Sequence, residues 1–178
     1  YETEIEEKKH VSRLAMQLFD QLKDFHGMDM AARELLYQAC LVYDVGTFVN
    51  FQDYHKHSRY LILQGRLRGF NNQELVVLAL LARYHRKSGP KKRHKAFKRL
   101  DKKERKLVKG LAGILRIAVG LDKTKNQWVE NVHCLMDKNR LTIKIFGEAG
   151  MDLEIWEAQR FSDTLSLYLK KEILLEKG

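Results

Sequence analysis

The sequence predicts a mainly α fold, a helical bundle followed by a small ββα appendage. Three observations lead there. The 178 residues include one proline, Pro90, and few glycines, which suits long helices better than a loop-rich β fold. Apolar residues recur at helical spacing through most of the chain and make up 44% of it, enough to bury a core. After about residue 126 the texture changes to short alternating segments, so the expected division is a helical domain over 1–126 and a small subdomain over 127–178.

The elements follow in order. Val11, Leu14, Ala15, Leu18, Phe19 and Leu22 line one helical face, and His26-Gly27 ends it. Leu35, Leu36, Ala39, Cys40 and Val42 mark a second, more deeply buried helix that stops near Gly46. Ser58 is expected to cap a short helix reaching Leu63. Asn71 with Glu74, and Asp101 with Glu104, have the spacing of capping boxes and open two further helices, the second running to about Leu121. Val129–Met136 and Leu141–Phe146 alternate apolar and polar residues around Asp137-Lys138-Asn139, a hairpin with turn chemistry. Asp152 opens a final helix with Leu153, Trp156, Phe161, Leu165, Tyr168 and Leu169 on its apolar side. A two-stranded hairpin is marginal alone, so this helix or the first domain must cover it. Trp128 and Trp156 are expected to pack between the two parts.

No apolar run approaches the roughly 20 residues of a membrane span. The charged start, YETEIEEKKH, is no signal peptide and lacks an initiator Met, which suggests a fragment or a processed chain. Cys40 and Cys134, far apart in apolar surroundings, read as buried thiols in a reducing compartment, hence a cytoplasmic protein.

The net charge of +10 is concentrated. From Arg83 to Lys109 fourteen Lys and Arg face only Asp101 and Glu104, a net of +12, so the rest of the chain sums to −2. A localised positive field recruits polyanions. Lys56 and the group Arg83, His85, Arg86, Lys87, Lys91, Lys92 and Arg93 are the candidate phosphate-binding residues, because phosphates need charge and several N–H donors.

His10, "DYHKHSRYL" at 53–61, "ARYHRK" at 82–87, Asp44 and Asp122 could in principle converge on a metal, which would activate water and clamp phosphoryl oxygens. Asp44 could equally cap a loop, and His10 could hydrogen-bond to Asp44 without metal.

The stretches "ELLYQACLVYDVGTFVNFQDYHKHSRYLI", "GFNNQELVVLALLARYHRK", "ILRIAVGLDKT" and "LEIWEAQ" resemble, in that order, the C-terminal half of the exopolyphosphatase/guanosine pentaphosphate phosphatase family. The resemblance implies an HD-domain-like helical bundle that follows an actin-like catalytic part, where phosphate is released from polyphosphate or pppGpp. It also implies a divalent metal only in a full-length parent, and a possible homodimer. Its metal-ligand positions fall on His10, Tyr43-Asp44 and Val119. Tyr43 and Val119 are not ligand types for a hard cation, so His10 and Asp44 are vestigial candidates, no metal or catalytic residue is expected, and this region is accessory. Two other readings are an active HD phosphohydrolase of nucleotides using His10, Asp44, His55, His57, His85 and Asp122, and an RNA-binding module. The second has only Tyr84 and Phe97 as stacking platforms in the basic stretch.

Overall fold

The computed structural model describes residues 2–65 and 67–178, and the side chains of residues 5–65 and 67–178. The helices are α1 (Glu2–Gln21), α2 (Lys23–His26), α3 (Met30–Val42), α4 (Tyr54–Gln64), α5 (Asn72–Tyr84), α6 (Lys95–Lys98) and α7 (Lys102–Gly120). Strands β1 (Val129–Met136) and β2 (Arg140–Gly147) follow, then α8 (Asp152–Arg160), α9 (Asp163–Leu169) and β3 (Glu172–Lys177). The chain is mainly α with a small sheet, as the sequence predicts.

The stripe of α1 is enclosed, with Val11, Leu14, Ala15, Leu18, Phe19 and Leu22 all at 1% exposure or less. It packs on α3 and on α7, whose own buried face carries Val108, Leu111, Ile114, Leu115 and Ile117. Both capping boxes form. Asn71 accepts from the Glu74 amide at 2.9 Å and Asp101 from the Glu104 amide at 2.7 Å, with each glutamate reaching back to the cap's own N–H.

The hairpin closes as expected: Asp137 accepts from the Asn139 and Arg140 amides, both at 2.8 Å. Three features differ from expectation. The last helix breaks at Phe161-Ser162 into α8 and α9, and the chain ends in β3, which pairs parallel to β2 in a sheet ordered β1-β2-β3. Ile173 and Leu175 of β3 alternate inward, a period too short to stand out beside a helix. The buried face of α8 is Glu154, Glu157 and Ala158, while Leu153 and Trp156 are exposed and only Trp128 packs on the core. Partnered glutamates hold that face: Glu154 accepts from the Thr124 amide at 3.1 Å, and Glu157 meets Lys123 at 3.2 Å and Arg160 at 3.1 Å. Close approach adds to the packing, since a Cβ at Gly113 would lie 2.8 Å from the Leu165 Cα.

Glutamines cover both edges of the sheet. Gln17 and Gln21 of α1 bond to the backbone of Val132 and Cys134, and Gln159 of α8 accepts from Leu175 N and donates to Ile173 O. Outward backbone groups of Val132, Cys134, Ile173 and Leu175 on the edge strands are thereby occupied. One contiguous apolar cluster runs from Val11 to Leu175.

Candidate functional site

Two features stand next to each other: a buried polar centre and a cationic surface. The centre draws on five helices. Lys8 and His10 come from α1, Tyr43 and Asp44 from the end of α3, Tyr54 and His55 from α4, His85 from the end of α5, and Asp122 from the turn after α7. His10, His55, His85 and Asp122 are all buried.

Local chain geometry brings these residues together. Gly46, in the 3-10 turn after α3, lies so close to α4 that a Cβ there would be 2.1 Å from the Tyr54 carbonyl oxygen. Its amide donates to the Ser58 hydroxyl at 2.9 Å. Ser58 therefore lies inside α4 and ties down the turn; it does not cap the helix, which begins a full turn earlier at Tyr54.

His85 pairs its Nδ1 with the Ala82 carbonyl at 2.6 Å. A carbonyl only accepts, so Nδ1 carries the proton and Nε2 accepts from the Tyr54 hydroxyl at 3.1 Å. The Tyr43 ring meets the imidazole of His85 edge-on at 4.7 Å. Arg13 donates to His10 Nδ1 at 3.1 Å, so the neutral ring directs its Nε2–H side toward Asp122 Oδ1, 3.7 Å away. His10 thus faces Asp122 and not Asp44, whose carboxylate instead holds the ammonium of Lys8. The same ammonium lies 4.2 Å above the centroid of the Tyr43 ring.

Burial sets the protonation states. It pushes His85 down to about 3 and His10 to about 4, the latter helped by Arg13. His55 falls to about 4 through burial and the nearby Arg83, Lys87 and Arg86. Asp122 rises to about 7, chiefly by burial. The Tyr43 phenol is pushed well above its ordinary value by burial and by Asp44, so it stays protonated at neutral pH. A divalent metal does not fit these groups. Of the four positions that the resemblance implies, Tyr43 is a neutral phenol, Val119 is hydrocarbon packed against the core, and Asp44 is engaged by Lys8. Among the described residues, no three His, Cys, Asp or Glu side chains gather in a metal-ligating arrangement.

The cationic surface begins where α5 ends. Arg83 and Arg86 are half-buried, and Lys87, Lys91, Lys92, Arg93, Lys95, Lys98 and Arg99 are exposed. Arg86 stacks over the Tyr54 ring at 4.6 Å, so Tyr54 joins the surface to the centre beneath it. Lys56 and Lys87 both pair with Asp53, at 2.7 and 2.5 Å, and hold its carboxyl well below the usual range. Among the described residues, Lys87 is the sole member of the Arg83–Lys109 cations with a carboxylate partner. Asp101 and Glu104 are committed to capping α7.

The expectation for His85 needs correcting. A histidine among Arg83, Arg86 and Lys87 reads as a surface group, yet the ring is fully enclosed and reaches the surface only through Tyr54.

Arg116 escaped the sequence reading altogether. It lies in the apolar C-terminal half of α7 at 2% exposure and donates to the carbonyls of Tyr84 at 2.9 Å and Lys87 at 3.0 Å. Its guanidinium packs over Phe161 at 4.7 Å and meets Asp163 at 3.4 Å. It thus satisfies carbonyls freed where α5 ends and fixes the 84–87 turn, in which Lys87 takes a left-handed φ of 56°. A single arginine in the apolar second half of that helix, residues 110–120, was the only available signal.

The fold is thus a helical bundle with a small sheet, and a buried histidine–aspartate centre lies beside a dense run of cations. Residues 1–162 match the family model described as Ppx/GppA phosphatase, domain III, and the chain belongs to that family. A third domain implies a multidomain architecture, and the match supports an accessory region of these hydrolases. Strand β3 lies beyond the matched residues. Among the described residues, no helix is long and apolar enough to cross a membrane.

Proposed function

We propose that this domain binds a phosphate chain, polyphosphate or the triphosphate of pppGpp, for catalytic domains of the same family, and that its His10–Asp44 centre is a degenerate HD metal site. The observation that carries the first part is the run of cations from Arg83 to Lys109, of which, among the described residues, Lys87 alone has a carboxylate partner. Elsewhere several surface lysines and arginines are paired, Arg33 with Asp20, Lys125 with Glu7, Arg140 with Glu172, Lys144 with Glu176 and Lys177 with Asp152. A dense run of cations left without counter-ions favours a polyanion there. Arg83, Arg86, Lys91, Lys92 and Arg93 form the binding edge. Lys56 and Lys87 join it when phosphate competes with Asp53. The centre below holds Tyr54 in place under Arg86.

The test is a salt titration of polyphosphate binding. With about four to six cations engaged, log Kd against log salt has a slope of roughly 3 to 4 in magnitude, by analogy with single-stranded nucleic acids. Charge reversal of Lys91, Lys92 and Arg93 together weakens long chains more than short ones and leaves the circular dichroism spectrum unchanged. A flat salt dependence, or unchanged affinity in the triple variant, refutes the proposal. Competition with single-stranded RNA of equal charge separates it from an RNA-binding role.

A further inference from the structure

We propose that Lys8 is the built-in cation of the His10–Asp44 centre, occupying by an ammonium the role that a bound divalent metal has in an intact HD site. The inference rests on reading that centre as a former metal site and goes beyond it. Loss of two ligand types explains weak metal binding but leaves a problem. Asp44 is a carboxylate only 17% exposed, directly after the buried Tyr43, and its sole cationic partner among the described residues is Lys8. A carboxylate so placed needs a positive partner.

Lys8 meets that need at two points. Its ammonium pairs with Asp44 and lies 4.2 Å over the Tyr43 ring, so it touches two of the four former ligand positions at once. The nitrogen is fully enclosed although the side chain as a whole is 18% exposed, meaning that the stem runs inward and the charge lies at the bottom. Tyr43 then acquires a physical reason. Its aromatic face attracts an ammonium, whereas an imidazole at this position would be a metal ligand. The two features belong together: a lysine two residues before His10 and an aromatic residue directly before Asp44. The lysine's cation is covalently part of α1, so the centre needs no metal to hold α1 against the turn after α3.

Two measurements test this. In thermal melts of the purified chain, Lys8→Met lowers Tm by about 10 °C, since breaking a buried pair strands the other charge. Lys8→Met combined with Asp44→Asn recovers most of that loss, because no charge is left unpaired. In metal analysis after dialysis against Mn²⁺ or Zn²⁺, Tyr43→His with Val119→Asp binds little, because Lys8 still holds Asp44. Adding Lys8→Ala raises binding to about one ion per chain. An Lys8→Met chain that melts with wild type, an additive double variant, or a full metal complement while Lys8 is present each overturns the role of Lys8. No metal in the triple variant, with the melting cycle as expected, overturns instead the reading of the centre as a former metal site. Neither readout involves polyphosphate, so failure of the binding proposal is scored separately.

Discussion

The guanidinium of Arg116 donates a 2.9 Å hydrogen bond to the carbonyl of Tyr84 from inside the core, and through it α7 controls the end of α5. Removing Arg116 leaves the Tyr84 and Lys87 carbonyls without donors and Asp163 without its partner. Arg116→Met is expected to cost about 2–4 kcal/mol in chemical denaturation. Arg116→Lys is expected to recover only part of this, since one ammonium cannot span two carbonyls as a planar fork does. Both variants should also weaken polyphosphate binding, measured at a temperature where they remain folded.

Gly46→Ala is expected to destabilise the chain by about 3 kcal/mol or more, because its Cβ would collide with backbone atoms of α4 that cannot move independently. Gly27 has a left-handed φ of 64° and open space around it, so Gly27→Ala is expected to cost only about 1 kcal/mol. Urea melts of the two variants check the ordering.

Stability depends on pH in two opposing ways. His10, His55 and His85 are held below their ordinary value of 6.5, to about 4, 4 and 3. The unfolded chain binds protons that the native chain refuses, so their contribution is complete above pH 6.5 and is lost as pH falls toward 4. Each contributes a slope of at most about 1.4 kcal/mol per pH unit. Asp122, raised from 3.8 to about 7, acts oppositely: the native state holds a proton that the unfolded state releases, so stability is lost as pH rises from about 4 to 7. The three histidines outweigh it, and stability should rise from pH 4.5 to 6.5. Asp122→Asn should steepen that rise, as read by Tm in a pH series.

Gln159 bridges Leu175 N and Ile173 O on the free edge of β3. Gln159→Ala is expected to cost about 1–3 kcal/mol and to expose a strand edge that can pair with another chain. Denaturant melts and concentration-dependent light scattering read the two effects.

The helical part was legible from the sequence alone because its signals are local. The α1 stripe and the Asn71/Glu74 and Asp101/Glu104 boxes each need only a few neighbouring residues, and the hairpin around Asp137 likewise encodes its own turn. The family resemblance rested on ordered motifs and needed no coordinates. Only the tertiary structure decided which polar groups meet. Lys8 and Asp44 are 36 positions apart, Arg116 and Tyr84 are 32, and nothing local in either segment names its partner. His85 shows the same limit in reverse: its cationic neighbours suggest solvent, but the helix turns it into the core, where Tyr54 and Ala82 satisfy both ring nitrogens. Strand β3 and the polar buried face of α8 were hidden for one reason. A short parallel strand exists only when β2 is beside it, and the buried faces of Glu154 and Glu157 depend on Thr124 donating to the first and on Lys123 and Arg160 pairing with the second. Backbone periodicity is a property of a segment, whereas the pairing of buried charges is a property of the packed chain.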